Sequence, residues 1–114
     1  MITTKNVEIL NGKTVELVCF AQFGVYIHLQ DRVLLTVEAE FEHVHGDTQE
    51  HHLTTFPASQ SSLMRLLECS VVSASLEQNG GLQLGFSNGD SLKVSKRPGF
   101  ESYQLRTGAE ELIA

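Results

Sequence analysis

The chain has 114 residues, 41% of them apolar and 19% charged, and fourteen Asp and Glu against eight Lys and Arg give a net charge of −6. That length gives one domain over residues 1–114, because domains commonly run to ~100 to 200 residues. The composition excludes a disordered tail, and the acidic balance would repel a phosphate backbone, so a cationic partner is expected and a nucleic acid is not. The longest unbroken apolar run, Leu17 to Ala21, is far short of the ~18 residues that cross a bilayer, and no membrane partner is expected. Met1 to Leu10 carries no export signal, which makes the cytoplasm the expected address. Cys19 and Cys69 have no CxxC spacing, which excludes a cysteine zinc site and leaves them as small packed hydrophobes.

Alternation at period two dominates and predicts strands. Val7 to Leu10 is apolar-rich and runs into Asn11-Gly12, a pair suited to the positive φ angles of a tight hairpin turn. From Thr14 to Phe23, Val15, Leu17, Cys19 and Ala21 share one face, and Glu16, Val18, Phe20 and Gln22 take the other. A strand apolar on both faces is expected at the centre of a sheet. Val25, Ile27 and Leu29 then alternate with Tyr26 and His28, and Gln30-Asp31 turns into the longest run, Arg32 to Val44. In that run Leu35, Val37, Ala39 and Phe41 point one way, with Thr36, Glu38, Glu40 and Glu42 pointing the other.

Gly46 to His52 has no periodicity and is expected as a polar loop, followed by a short strand at Leu53 to Phe56. Pro57 sets a φ suited to a helix start, and Leu63, Leu66 and Leu67 keep the spacing of one helical face, so one short helix is predicted near Ala58 to Glu68. Four strands follow at Val71 to Leu76, Gly81 to Phe86, Ser91 to Val94 and Phe100 to Leu105. Turn signals at Asn79-Gly80, Asn88-Gly89 and Pro98-Gly99 separate them, with Asn88-Gly89 expected in a type I′ turn. The tail from Thr107 is expected to fray or to pack only by Leu112 and Ile113. The fold class is mainly β (α+β): an antiparallel sheet, strongly bent or folded into a sandwich, with one short helix packed on it.

Four of the five histidines fall between His43 and His52. His43 and His45 share a strand face, and with Glu50 they would form a workable triad for zinc, iron or nickel. The spacing H-x-H-x4-E resembles the first half of the cupin metal motif, which implies a small metal-dependent enzyme as one alternative reading. The flanking glycines of that motif are replaced here by Val37 and Pro57, and no histidine follows His52. An exposed histidine-rich turn without metal or other cofactor is therefore the expectation. Nucleophilic catalysis is not supported either, because no G-x-S-x-G turn is present and no phosphate-cradling glycine loop precedes a helix.

Charge is more informative. No Lys or Arg lies between Arg32 and Arg65, whereas Glu38, Glu40, Glu42, Asp47 and Glu50 all fall inside that interval. On one strand face the first three carboxylates would stand about 7 Å apart, a spacing comparable to that of phosphates along a strand of nucleic acid. Such a set draws in and orients a basic protein, and these five residues are the expected partner surface.

The stretch from Leu66 to Leu105 resembles a small, largely uncharacterised bacterial domain family with the pattern L-x-L-x-F-S-[ND]-G-x-x-L-x-V, a short spacer, and [YF]-E-[AS]-[WY]-x-L. Here these are Leu82-Gln83-Leu84-Gly85-Phe86-Ser87-Asn88-Gly89-Asp90-Ser91-Leu92-Lys93-Val94 and Phe100-Glu101-Ser102-Tyr103-Gln104-Leu105. The resemblance implies an immunity protein encoded beside polymorphic or contact-dependent growth inhibition toxins. On this reading the chain is no enzyme and binds a cognate basic toxin, often a nuclease, at its active site. A plain adaptor domain is the third alternative.

Overall fold

A strand that alternates apolar and polar residues has one dry face to bury, and here two sheets of such strands close on each other as a β-sandwich. The computed structural model describes residues 4–21, 24–38, 40–52, 62–96, 103–107 and 111–113. The first sheet runs in the order β1 (Val15–Ala21), β2 (Gly24–Leu29), β3 (Val33–Val37), β9 (Tyr103–Arg106), β10 (Glu111–Ile113). The second runs β5 (Thr48–His52), β4 (Phe41–His45), β8 (Ser91–Val94), β7 (Leu82–Phe86), β6 (Val71–Leu76). All of these pairings are antiparallel. Val25, Ile27 and Val37 of the first sheet line the same apolar interior as Phe41 and Leu92 of the second, with Leu63 beside them. Leu35, Leu92 and Val94 are wholly buried, and each such side chain contributes ~1.5 to 3 kcal/mol relative to an exposed one.

The long run from Arg32 to Val44 is two strands rather than one. β3 ends at Val37, the chain crosses between the sheets, and β4 begins at Phe41 in the other sheet. Leu35, Val37, Phe41 and His43 are all buried, so the inward parity continues across the corner. A strand that changes sheets this way keeps its alternation, and period two carries no mark of the change.

β1 is an edge strand, not a central one. Val15 pairs with Leu29 but Leu17 pairs with His28, so Glu16 is the extra residue of a β-bulge. The bulge reverses the parity: Val15 and Val18 are buried while Leu17 is 47% exposed.

Three further expectations are corrected. Val7 to Leu10 is not a strand. A helical turn at Thr4–Val7 continues into a 3-10 turn at Glu8–Leu10, which buries Val7 and Leu10 three positions apart. Asn11 (φ −59°, ψ 131°) and Gly12 (φ 81°) then form a type II turn closed by the Lys13 amide donating to the Leu10 carbonyl at 3.1 Å. The polar loop expected at Gly46 to His52 is a tight turn at Gly46 (φ 59°) followed by edge strand β5 paired along β4. Its first residues, Thr48 and Gln49, are exposed, and a strand made of polar residues shows no apolar period. Finally, the tail is held as a strand rather than frayed or attached by Leu112 and Ile113 alone, because Glu111–Ile113 pairs with β9.

Of the helix expected near Ala58 to Glu68, residues 62–68 contain one 3-10 turn, Leu63–Leu66, and the remainder lies outside the described residues, as does the strand expected at Leu53 to Phe56. No helix among the described residues is long and apolar enough to cross a membrane.

Candidate functional site

The switch between sheets disperses the expected acid ladder. Glu38 and Glu40 lie in the β3–β4 crossover and only Glu42 lies on a strand, so the three do not share a strand face. Glu38 accepts a hydrogen bond from Gln104 Nε2 at 3.1 Å. Glu42 stands opposite Lys93 in register, and Asp47 is exposed at the β4–β5 turn. Glu50 pairs with His43 across the β4–β5 hairpin, but its side chain is outside the described set.

His43 is not in an exposed turn. Its ring is wholly buried, and its Nε2 lies 2.9 Å from Asp90 Oδ2. Asp90 opens β8 from the tight turn after Phe86, with 2% of its surface exposed. Arg65, on the turn Leu63–Leu66, grips the same carboxylate with two bonds, Nε to Oδ2 at 3.1 Å and Nη2 to Oδ1 at 3.2 Å. Burial pushes the Asp90 carboxyl up, but hydrogen bonds and charge from Arg65 and His43 prevail and hold it below its ordinary 3.8. An ionised carboxylate can only accept, so His43 Nε2 carries the proton. His43 Nδ1 is then a buried atom without a hydrogen-bond partner, and leaving such an atom unpaired costs ~1 to 3 kcal/mol.

Sequence reasoning missed Asp90 and Arg65. Their only signal was the position of Asp90 after Asn88-Gly89, and what places it there is local turn chemistry. The Phe86 amide donates to the Asp90 carbonyl at 2.9 Å and the Gly89 amide to the Phe86 carbonyl at 3.0 Å. Asn88 Oδ1 accepts from the Asp90 amide at 2.9 Å, while Asn88 Nδ2 donates to the Arg65 carbonyl at 3.2 Å. Ser87 and Ser70 exchange two further bonds, amide to carbonyl at 2.8 Å and amide to hydroxyl at 3.0 Å. The F-S-N-G-D stretch is therefore a clamp that holds the segment from Arg65 to Ser70 and aims Asp90 at His43.

The cluster pins three elements together, and its buried imidazole and carboxylate offer no open face to a substrate. The His45 ring lies 4.9 Å from that of His43, centroid to centroid and tilted by 43°. Among the described residues no group of three or more His, Cys, Asp or Glu is arranged to hold a metal ion.

With this geometry in place, a family profile decides membership: it matches residues 7–114, a span that holds buried Val7 and the ten strands found among the described residues. The chain belongs to DUF6188, a family of unknown function. The match to DUF6188 thus takes in both sheets. No curated protein and no solved structure matches the chain.

Proposed function

We propose that this DUF6188 protein is a cytoplasmic immunity protein that binds a cognate basic toxin and neutralises it by covering its active site, without catalysing a reaction of its own. The observation that carries the reading is an imbalance of paired charge. Among the described side chains, Lys13 is held by Asp31, Arg65 by Asp90 and Lys93 by Glu77, Lys96 and Arg106 are also engaged, and exposed Arg32 is the one cation without such a partner. Glu8, Glu16, Glu42, Asp47 and Glu68 have no such partner among the described residues and are at least partly exposed. A surface of unpaired carboxylates speeds encounter with a basic protein and resists wrong partners.

The test is binding of the purified protein to the basic protein encoded by the adjacent gene, in catalytically inactive form, by calorimetry, together with rescue of cells expressing the active form. Stoichiometric binding and rescue are expected, and binding that weakens with salt. Absence of both would remove the reading. The metal-enzyme alternative rests on the unpaired Nδ1 of buried His43 beside the His45 ring. One tightly held transition metal per chain by elemental analysis, lost in His45→Ala, would favour it instead.

A further inference from the structure

The two sheets meet along one seam. There the segment from Gly12 to Val15 pairs with the segment from Glu68 to Val71: the Gly12 amide donates to the Val71 carbonyl at 2.7 Å, the Val71 amide to Lys13 at 2.9 Å, the Val15 amide to Cys69 at 2.8 Å and the Glu68 amide to Val15 at 2.9 Å. The turn Glu8–Leu10 packs on β6 at one end of the seam and the turn Leu63–Leu66 on β1 at the other.

Five large apolar side chains are exposed among the described residues, and four of them are on these elements: Ile9 (41%), Leu17 (47%), Met64 (52%) and Val72 (63%). Isolated exposed hydrophobes are ordinary, but the placement of two of these is built into the backbone. The bulge at Glu16 turns Leu17 outward, and Val72 is the extra residue of a second bulge, between Val71 and Ser73 on β6. Bulges re-aim side chains at sheet edges. Beside them, exposed Glu68 is held at φ 68°, a left-handed conformation that is costly for any residue with a Cβ.

The charge around this apolar surface is mainly negative. Glu8, Glu16 and Glu68 are exposed and unpaired among the described residues, the nearby cations Lys13 and Arg65 are held by Asp31 and Asp90, and Arg32, beside Asp31, is the one exposed cation left against those three acids. Resting on the reading given above, we infer that this seam is the docking surface, and that it fits a protein presenting apolar side chains within a ring of Lys and Arg. The apolar centre supplies residence time and the acidic rim supplies orientation and speed of encounter.

The experiment uses the full chain and the same neighbour-encoded basic protein. Leu17→Ser/Val72→Ser should weaken binding at least ~10-fold through faster dissociation. Glu16→Lys/Glu68→Lys should slow association and flatten its dependence on salt, and Glu42→Lys/Asp47→Lys, at the far side of the second sheet from β6, should slow it less. Glu68→Gly separates binding from folding, since it relieves the left-handed strain and removes the charge. It should raise the denaturation midpoint yet slow association. Wild-type affinity in the seam variants, with loss in Glu42→Lys/Asp47→Lys, would overturn the seam and leave the toxin-binding reading intact. Failure of the wild-type protein to bind would instead overturn that reading.

Discussion

At the scale of single residues, a buried acid is tolerated when its charge is matched, and Asp90 is matched twice. Because its folded pKa lies below 3.8, the sign of the linkage is fixed: the stabilisation is fully present above the unfolded pKa and is lost as pH falls through the folded one. Asp90→Asn should therefore destabilise the protein at neutral pH by about 2 to 4 kcal/mol, less than for a fully enclosed ion pair because the Arg65 side chain is half exposed. The gap between variant and wild type should narrow as pH falls below 3.8. Urea midpoints at a series of acidic pH values measure it, and a gap independent of pH would show that the carboxylate is not ionised in the fold. Replacing His43 together with His45 would disturb the core, because His43 is wholly buried against Asp90, so His45→Ala alone is the cleaner probe of metal.

At the scale of elements, two hairpins share one construction, and the Asn-Gly pairs mark where both turns fall but not their type. In the turn from Glu77 to Gly81, the Gly80 amide donates to the Glu77 carbonyl, the Glu77 amide to the Gly81 carbonyl, and the Gly81 amide to Asn79 Oδ1. The turn from Phe86 to Asp90 repeats every one of these bonds. Only the glycine of each Asn-Gly pair has positive φ, 90° at both Gly80 and Gly89. The expected type I′ turn, which needs positive φ at both residues, is replaced by a three-residue loop with glycine in the bulge position. A Cβ at Gly89 would meet nothing within 4 Å, so Gly89→Val tests conformation without a clash. It should cost roughly 1 to 3 kcal/mol, with Gly89→Asn costing less, since Asn tolerates the left-handed region. Equal midpoints for Val and Asn would refute the assignment. What was legible follows from the same physics. Strands at β2, β6, β7 and β8 and the buried set Leu82, Leu84, Phe86, Leu92 and Val94 are local in period and turn chemistry. The bulge at Glu16, the crossover between β3 and β4 and the meeting of His43 with Asp90, 47 residues apart, depend on partners distant in sequence, which no local pattern encodes.

At the scale of the molecule, the sheets are joined by a polar bond as well as by apolar contact. Tyr103, on β9 of the first sheet, is 1% exposed and donates its hydroxyl to the Gly80 carbonyl, at the β6–β7 turn of the second, at 2.8 Å. Tyr103 belongs to the second half of the C-terminal signature, and Gly80 belongs to the first of the two matched turns, so the scaffold chemistry of that region converges on closing the sandwich. Burial pushes the phenol up from 10.0 to about 12. A raised pKa contributes stability that is fully present below the unfolded value and is lost as pH rises through the folded one. Between pH 10 and about 12 the unfolded chain releases this proton while the folded one retains it, and the two-unit gap corresponds to about 2 to 3 kcal/mol. Alkaline unfolding is thus expected in that window as a single transition of both sheets, followed together by tyrosinate absorbance and by far-ultraviolet circular dichroism. Tyr103→Phe should lower stability at neutral pH by about 1 kcal/mol through the lost hydrogen bond and should flatten the alkaline slope. Two separated transitions, or an unchanged slope in the variant, would show that the sheets are not coupled through this residue.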